Sequence, residues 1–138
     1  MPFVVPALVA TLASAILAFL VVLAARVVAG TSLRYSSAFT ATLTAWIVTS
    51  VATYAVRTAG PDAAQFIRQA PGVFVLPLAN LALLTGLLAT LGRTVDDRRI
   101  SLRTAAASAV IAVVVATAIG VVLIYAIYTP PAPSVMSG

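Results

Sequence analysis

The 138-residue chain contains no cysteine, histidine, lysine or glutamate. Without cysteine there is no disulfide framework, thiol nucleophile or iron–sulfur site. A metal site built on His or Cys is excluded, and the adjacent loop residues Asp96 and Asp97 are a poor substitute. A serine or threonine nucleophile has no His, Lys or Glu to serve as its base, so no enzymatic activity is expected and no cofactor is implied. Proton-coupled carriage is disfavoured as well, because it draws on a buried carboxylate or imidazole. Formal charge rests on eight arginines and three aspartates, for a net +5.

What is present is apolar. Hydrophobic residues make up 62% of the chain and charged residues 8%, with a mean hydropathy of +1.15. Soluble domains are about half apolar and about one quarter charged, so this composition belongs in a bilayer. A hydrocarbon core of roughly 30 Å needs about 20 apolar residues per helix. Four stretches meet that length, at about 3–28, 37–56, 73–91 and 104–128, with Gly30, Gly60, Gly92 and Pro130 marking their ends. The expectation is an all-α membrane protein: one domain of four transmembrane helices, followed by an extended proline-rich tail at 129–138. The period-2 alternation of a β-barrel is absent. The first stretch lacks a basic leader and is longer than a signal-peptide core, so it reads as a retained helix.

Arginine placement sets the expected topology. Arg26 and Arg34 flank the first connection, and Arg93, Arg98, Arg99 and Arg103 lie in or beside the third. Arg57 and Arg68 flank the second. The positive-inside rule places the richer side inward and both termini outward, in a prokaryotic inner or a viral membrane. Phe3, Tyr54, Phe66, Phe74, Tyr125 and Tyr128 then form an outer aromatic belt, with Tyr35 and Phe39 at the inner face. The basic balance is explained by this topology, and no nucleic-acid partner is expected. Arg34, Arg93, Arg98, Arg99 and Arg103 are the expected contacts for anionic headgroups on the inner side, or for a protein partner. Arg98 and Arg99 offer Asp96 and Asp97 a local charge pairing, and Ser101 is the expected N-cap of the fourth span.

The second connection carries its own helix signal. Pro61 suits a first-turn position, Asp62 complements the helix N-terminus, and Pro71-Gly72 marks a stop. A short interfacial helix over 60–69 is expected, acting as a connector anchored by Phe66, as a docking surface or as a cap over a cavity. A shift of 69 residues also aligns Pro2 with Pro71, Leu12-Ala13 with Leu81-Ala82, and Ser32-Leu33-Arg34 with Ser101-Leu102-Arg103. Two tandem helical hairpins, related about the membrane normal, would account for this; chance recurrence in an Ala-, Val- and Leu-rich chain is the alternative.

Within the spans, small residues recur at helical spacing. Ala105, Ala109, Ala112, Ala116 and Gly120 form one stripe, and Ala10, Ser14 and Ala18 another. Such stripes let helix backbones approach closely. Asn80 is the most polar residue at mid-membrane, and Pro77 one turn earlier is the expected kink. Asn80 either bonds a facing Ser14, Thr44 or Thr49 or lines a solute path. Trp46 falls in mid-span, away from the interfaces where Trp is enriched, as a lipid-facing residue or a knob into another subunit. Two functions fit this inventory. One is a structural or accessory subunit of a larger membrane assembly, partnered by lipids and by other membrane subunits or its own copies. The other is an oligomeric channel or carrier for a small neutral or apolar solute.

Overall fold

The computed structural model describes residues 4–129. The N-terminal Phe3 and nearly all of the proline-rich tail fall outside the described residues. The regular structure of the described residues is helical: α1 Val4–Ala29, α2 Tyr35–Thr58, α3 Pro61–Arg68, α4 Ala70–Leu91 and α5 Leu102–Tyr128. Four of these helices are long and apolar enough to cross a membrane. Their ends lie close to those the hydropathy predicts, because a span is defined by a one-dimensional run of apolar residues. Among the described residues strand pairing is limited to two isolated bridges, Leu33 with Thr94 and Arg93 with Arg99.

The start of α4 departs from expectation. Pro71-Gly72 does not separate α3 from the third span; both lie in the first turn of α4. The reason is that Pro lacks only a donor that a first turn leaves unpaired anyway, so it starts a helix as readily as it ends one. Gln69 alone joins the two helices, in an extended conformation (φ −83°, ψ 158°). Ser101 does cap α5, its Oγ accepting from the Thr104 amide at 3.2 Å.

The long helices form a ring in the order α1, α2, α4, α5. Each packs on its two ring neighbours, and among the described residues no Cα of a diagonal partner comes within 8 Å. The interior is built from small residues. Ala10, Ser14, Ala18, Val21, Ala24 and Ala25 of α1 are buried. So are Ala38, Ala41, Thr42 and Ala45 of α2, and Ala105, Ser108, Ala109 and Ala112 of α5. Leu84 and Leu88 of α4 supply the largest buried side chains. Lipid tails are as apolar as leucine, so what favours this core is close backbone approach and van der Waals contact.

Burial is unevenly distributed along the bundle. Among the described residues, α2 has no buried side chain beyond Ala45, α4 none before Leu84 and α5 none beyond Ala112. The packed half of α2, α4 and α5 is therefore the one next to the first and third connections, which are themselves joined, whereas α1 is buried farther out, as far as Ala10. The Arg34 amide donates to the Arg93 carbonyl at 2.8 Å, and the Val95 amide to the Ser32 carbonyl at 2.9 Å. Ser37 Oγ accepts from the Arg93 amide at 3.2 Å. Leu33 and Ile100 are tucked beneath, and a Cβ on Gly92 would collide with the Leu88 carbonyl and the Ile100 side chain. The third connection turns back at Thr94–Asp97, where the Asp97 amide bonds the Thr94 carbonyl at 2.9 Å. Asp97 takes φ +60°, a left-handed conformation that Asp tolerates better than most residues.

This joint separates the two tripeptides of the 69-residue shift. Ser32-Leu33-Arg34 is extended, with Leu33 buried and bridged to Thr94. Ser101-Leu102-Arg103 opens a helix and leaves Leu102 exposed.

Candidate functional site

The polar side chains of α2 recur on one face. Thr42, Thr49, Ser50, Thr53 and Arg57 stand at separations of three, four or seven residues or one step away, so successive turns place them above one another. In the fold this face borders a crevice between α1, α2 and α4, with a volume of about 380 Å3. Ser14 and Leu17 come from α1, and Asn80 and Leu84 from α4. Arg57 and Tyr54 are exposed and stand at the open half of the bundle, whereas Ser14, Thr42 and Leu84 are buried.

Hydrogen bonds hold this face to its neighbours. Thr49 Oγ1 donates to Asn80 Oδ1 at 2.8 Å, which selects Thr49 from the three expected partners. Thr42 Oγ1 donates to the Ser14 carbonyl at 3.2 Å and the Phe39 carbonyl at 3.0 Å. The Tyr35 hydroxyl reaches the Ala15 carbonyl at 3.1 Å, with its ring stacked on Phe39 at 6.2 Å. Consecutive carbonyls of α1 thus take an extra bond from α2, the sort of polar link that ties helices where water is scarce. Among the described residues Asn80 is bonded only through Oδ1, so its amide nitrogen remains a donor.

The expected packing residues divide between the two halves. Ala10, Ser14, Ala18, Ala105, Ala109 and Ala112 are buried, while Ala116 and Gly120 are half-buried beyond the point where the core ends. Pro77 is exposed on α4, which continues as one helix through it. Trp46 forms part of the crevice wall while staying 41% exposed. Tyr54, Phe66, Phe74, Tyr125 and Tyr128 are exposed at the end of the bundle away from the joined connections.

The arginines of the connections form a separate region. Asp97 pairs with Arg34 at 3.9 Å rather than with its neighbours Arg98 and Arg99, because the joined backbones bring the first connection alongside the turn. Arg93 Nη1 donates to the Asp97 carbonyl at 3.4 Å. Arg98 and Arg99 border a shallow polar depression of about 430 Å3 with Ser101 and Thr104 at the start of α5. Arg103 is exposed on the first turn of α5.

The crevice face was open to sequence reasoning, since the spacing of Thr42, Thr49, Ser50, Thr53 and Arg57 is a helical signal in the least apolar of the four spans. No protein-family model, curated protein or solved structure matches the chain.

Proposed function

We propose that the protein is a structural or accessory subunit of a larger integral membrane assembly. The observation that carries this reading is the half-finished burial of the bundle. The small-residue stripe of α5 is fully covered at Ala105, Ala109 and Ala112 but only half covered at Ala116 and Gly120. A neighbouring helix can approach that continuation as closely as α1 approaches the covered part. On this reading the two halves have different partners: its own helices on one side, another subunit or a second copy on the other. The short α3 lies in the interface as an anchored connector, and the tandem-hairpin relation stays part of the proposal, supported by the ring order of the helices. Arg34, Arg93, Arg98, Arg99 and Arg103 then face anionic headgroups on the inner side, with both termini outside.

Native mass spectrometry of gently solubilised membranes tests the assignment. The expected result is co-purification at fixed stoichiometry with larger membrane partners, weakened by Gly120→Leu without loss of helicity. A chain that stays monomeric and unaccompanied sinks the idea. For topology, a cysteine at Ser134 is expected to react with an impermeant thiol reagent from outside, and one at Val95 is expected not to.

A second reading, an oligomeric channel or carrier for a small neutral or apolar solute, draws on the polar crevice with Asn80 in its wall. Purified protein in vesicles that passes solute, and loses this with Asn80→Leu, favours that reading over the first.

A further inference from the structure

The crevice between α1, α2 and α4 changes its chemistry with depth. Arg57 stands at its exposed end, the Ser50 hydroxyl and the Asn80 amide lie in its middle, and Trp46, Leu17 and Leu84 make most of the wall beyond. Ser14 and Thr42 are also found there, and the Thr42 hydroxyl is taken up by helix carbonyls. Eight residues separate Arg57 from Thr49, the partner of Asn80, which is about 12 Å along the helix at 1.5 Å per residue. Cation, hydrogen-bond donors and apolar wall therefore follow one another in the order in which a glycerolipid presents phosphate, ester carbonyls and acyl chain.

We infer that the crevice is a binding site for one anionic glycerolipid. Its phosphate pairs with Arg57, its ester carbonyls accept from the Asn80 amide and the Ser50 hydroxyl, and one acyl chain runs along Trp46, Leu17 and Leu84. Three observations select this occupant. Among the described residues none that lines the crevice is acidic, so Arg57 acts on an incoming anion without a competing carboxylate from that wall. Thr49 occupies the oxygen of Asn80, which leaves donors to be matched by an acceptor-rich ligand. The volume of about 380 Å3 is of small-ligand size, suited to one chain and its ester while the rest of the lipid stays in the bilayer. The site lies at the opposite end of the molecule from the arginines of the joined connections and does not depend on the assembly reading.

The test uses the full chain in vesicles of equal parts phosphatidylglycerol and phosphatidylcholine with the same acyl chains, followed by gentle extraction and native mass spectrometry. The expected result is one retained lipid per chain, with phosphatidylglycerol favoured about fivefold or more, as one arginine near a membrane surface supplies. Arg57→Gln is expected to bring that ratio close to one. Asn80→Leu is expected to lower retention of both lipids while keeping the headgroup preference. Arg68→Gln removes the same charge from α3 and is expected to leave the ratio unchanged. Absence of retained lipid, retention without headgroup preference, or an equal effect of Arg68→Gln overturns the proposal. So does displacement by soluble glycerol 3-phosphate as effective as by phosphatidylglycerol, since the site would then recognise a free anion.

Discussion

The two halves of the bundle are made of the same helices and behave as different materials. Next to the joined connections, alanines are covered to the last few per cent of their surface, and Leu84 and Leu88 fill the spaces between them. At the other end the same four helices carry Val5, Tyr54, Phe74, Val122 and Tyr125 outward, all more than half exposed. Hydropathy does not explain which half is covered: Arg103, Thr104 and Ser108 lie in the covered half of α5, whereas beyond Ala112 the helix is apolar but for Thr117 and two tyrosines. Side-chain size does. Ala105, Ala109 and Ala112 let a neighbouring backbone approach, whereas the large side chains of α5 beyond Val121 keep one away. Inside a bilayer, apolar character places a helix in the membrane and smallness decides what it touches.

That contrast breaks first where small residues are covered. Ala109→Leu forces a larger side chain into a fully buried site and is expected to cost toward the upper end of about 1–3 kcal/mol. Val122→Leu, in the bare half, is expected to change stability by no more than about 0.5 kcal/mol. Thermal unfolding of the two variants in one detergent makes the comparison, and equal losses would erase the distinction between the halves. Gly92→Ala sets a methyl group against the Leu88 carbonyl and Ile100, at an expected cost of about 2 kcal/mol, within the range of local strain. Faster hydrogen exchange at the Arg34 and Val95 amides would show that the damage reaches the joint. Asn80→Leu removes a side-chain bond that ties α2 to α4 in the open half, and a loss of about 1 kcal/mol is expected from intramembrane hydrogen bonds of this kind. Arg34→Gln breaks an ion pair 3.9 Å long whose side chains are 51% and 71% exposed, and a change of a few tenths of a kcal/mol at most, screened further by salt, is expected. A loss as large as that of Ala109→Leu would mean that the surface pair, and not the alanine packing, holds the closed half.

Helix positions were legible because each depends on neighbours in sequence: a run of apolar residues for the spans, Ser101 for the start of α5, Pro61 and Asp62 for α3. Thr49 was legible only as one of three candidate partners of Asn80, with Ser14 and Thr44, because depth in a span can be counted but the facing side cannot. The joint between the connections was not legible. Leu33 and Thr94 pair through backbone atoms although nearly half the length of the chain separates them, and backbone pairing of short segments leaves no period to read. The ion pair followed from that joint, so the adjacent Arg98 and Arg99 were the misleading choice and Arg34 the actual one. The crevice is an intermediate case. Its polar face was visible along α2, but that Leu17 and Leu84 close the far end depends on how three helices stand together.

The joint also gives the molecule an order in time. The Ser32 carbonyl and the Arg34 amide are synthesised with the first hairpin, and their partners belong to the connection leading into the last helix. At ribosomal speeds of about 5–20 residues per second, those two backbone groups stay open for on the order of seconds. The alanine face of α1 is left bare for longer still, until α5 arrives to cover it. A chain halted before the third connection and α5 thus leaves these backbone groups unpaired and this alanine face uncovered.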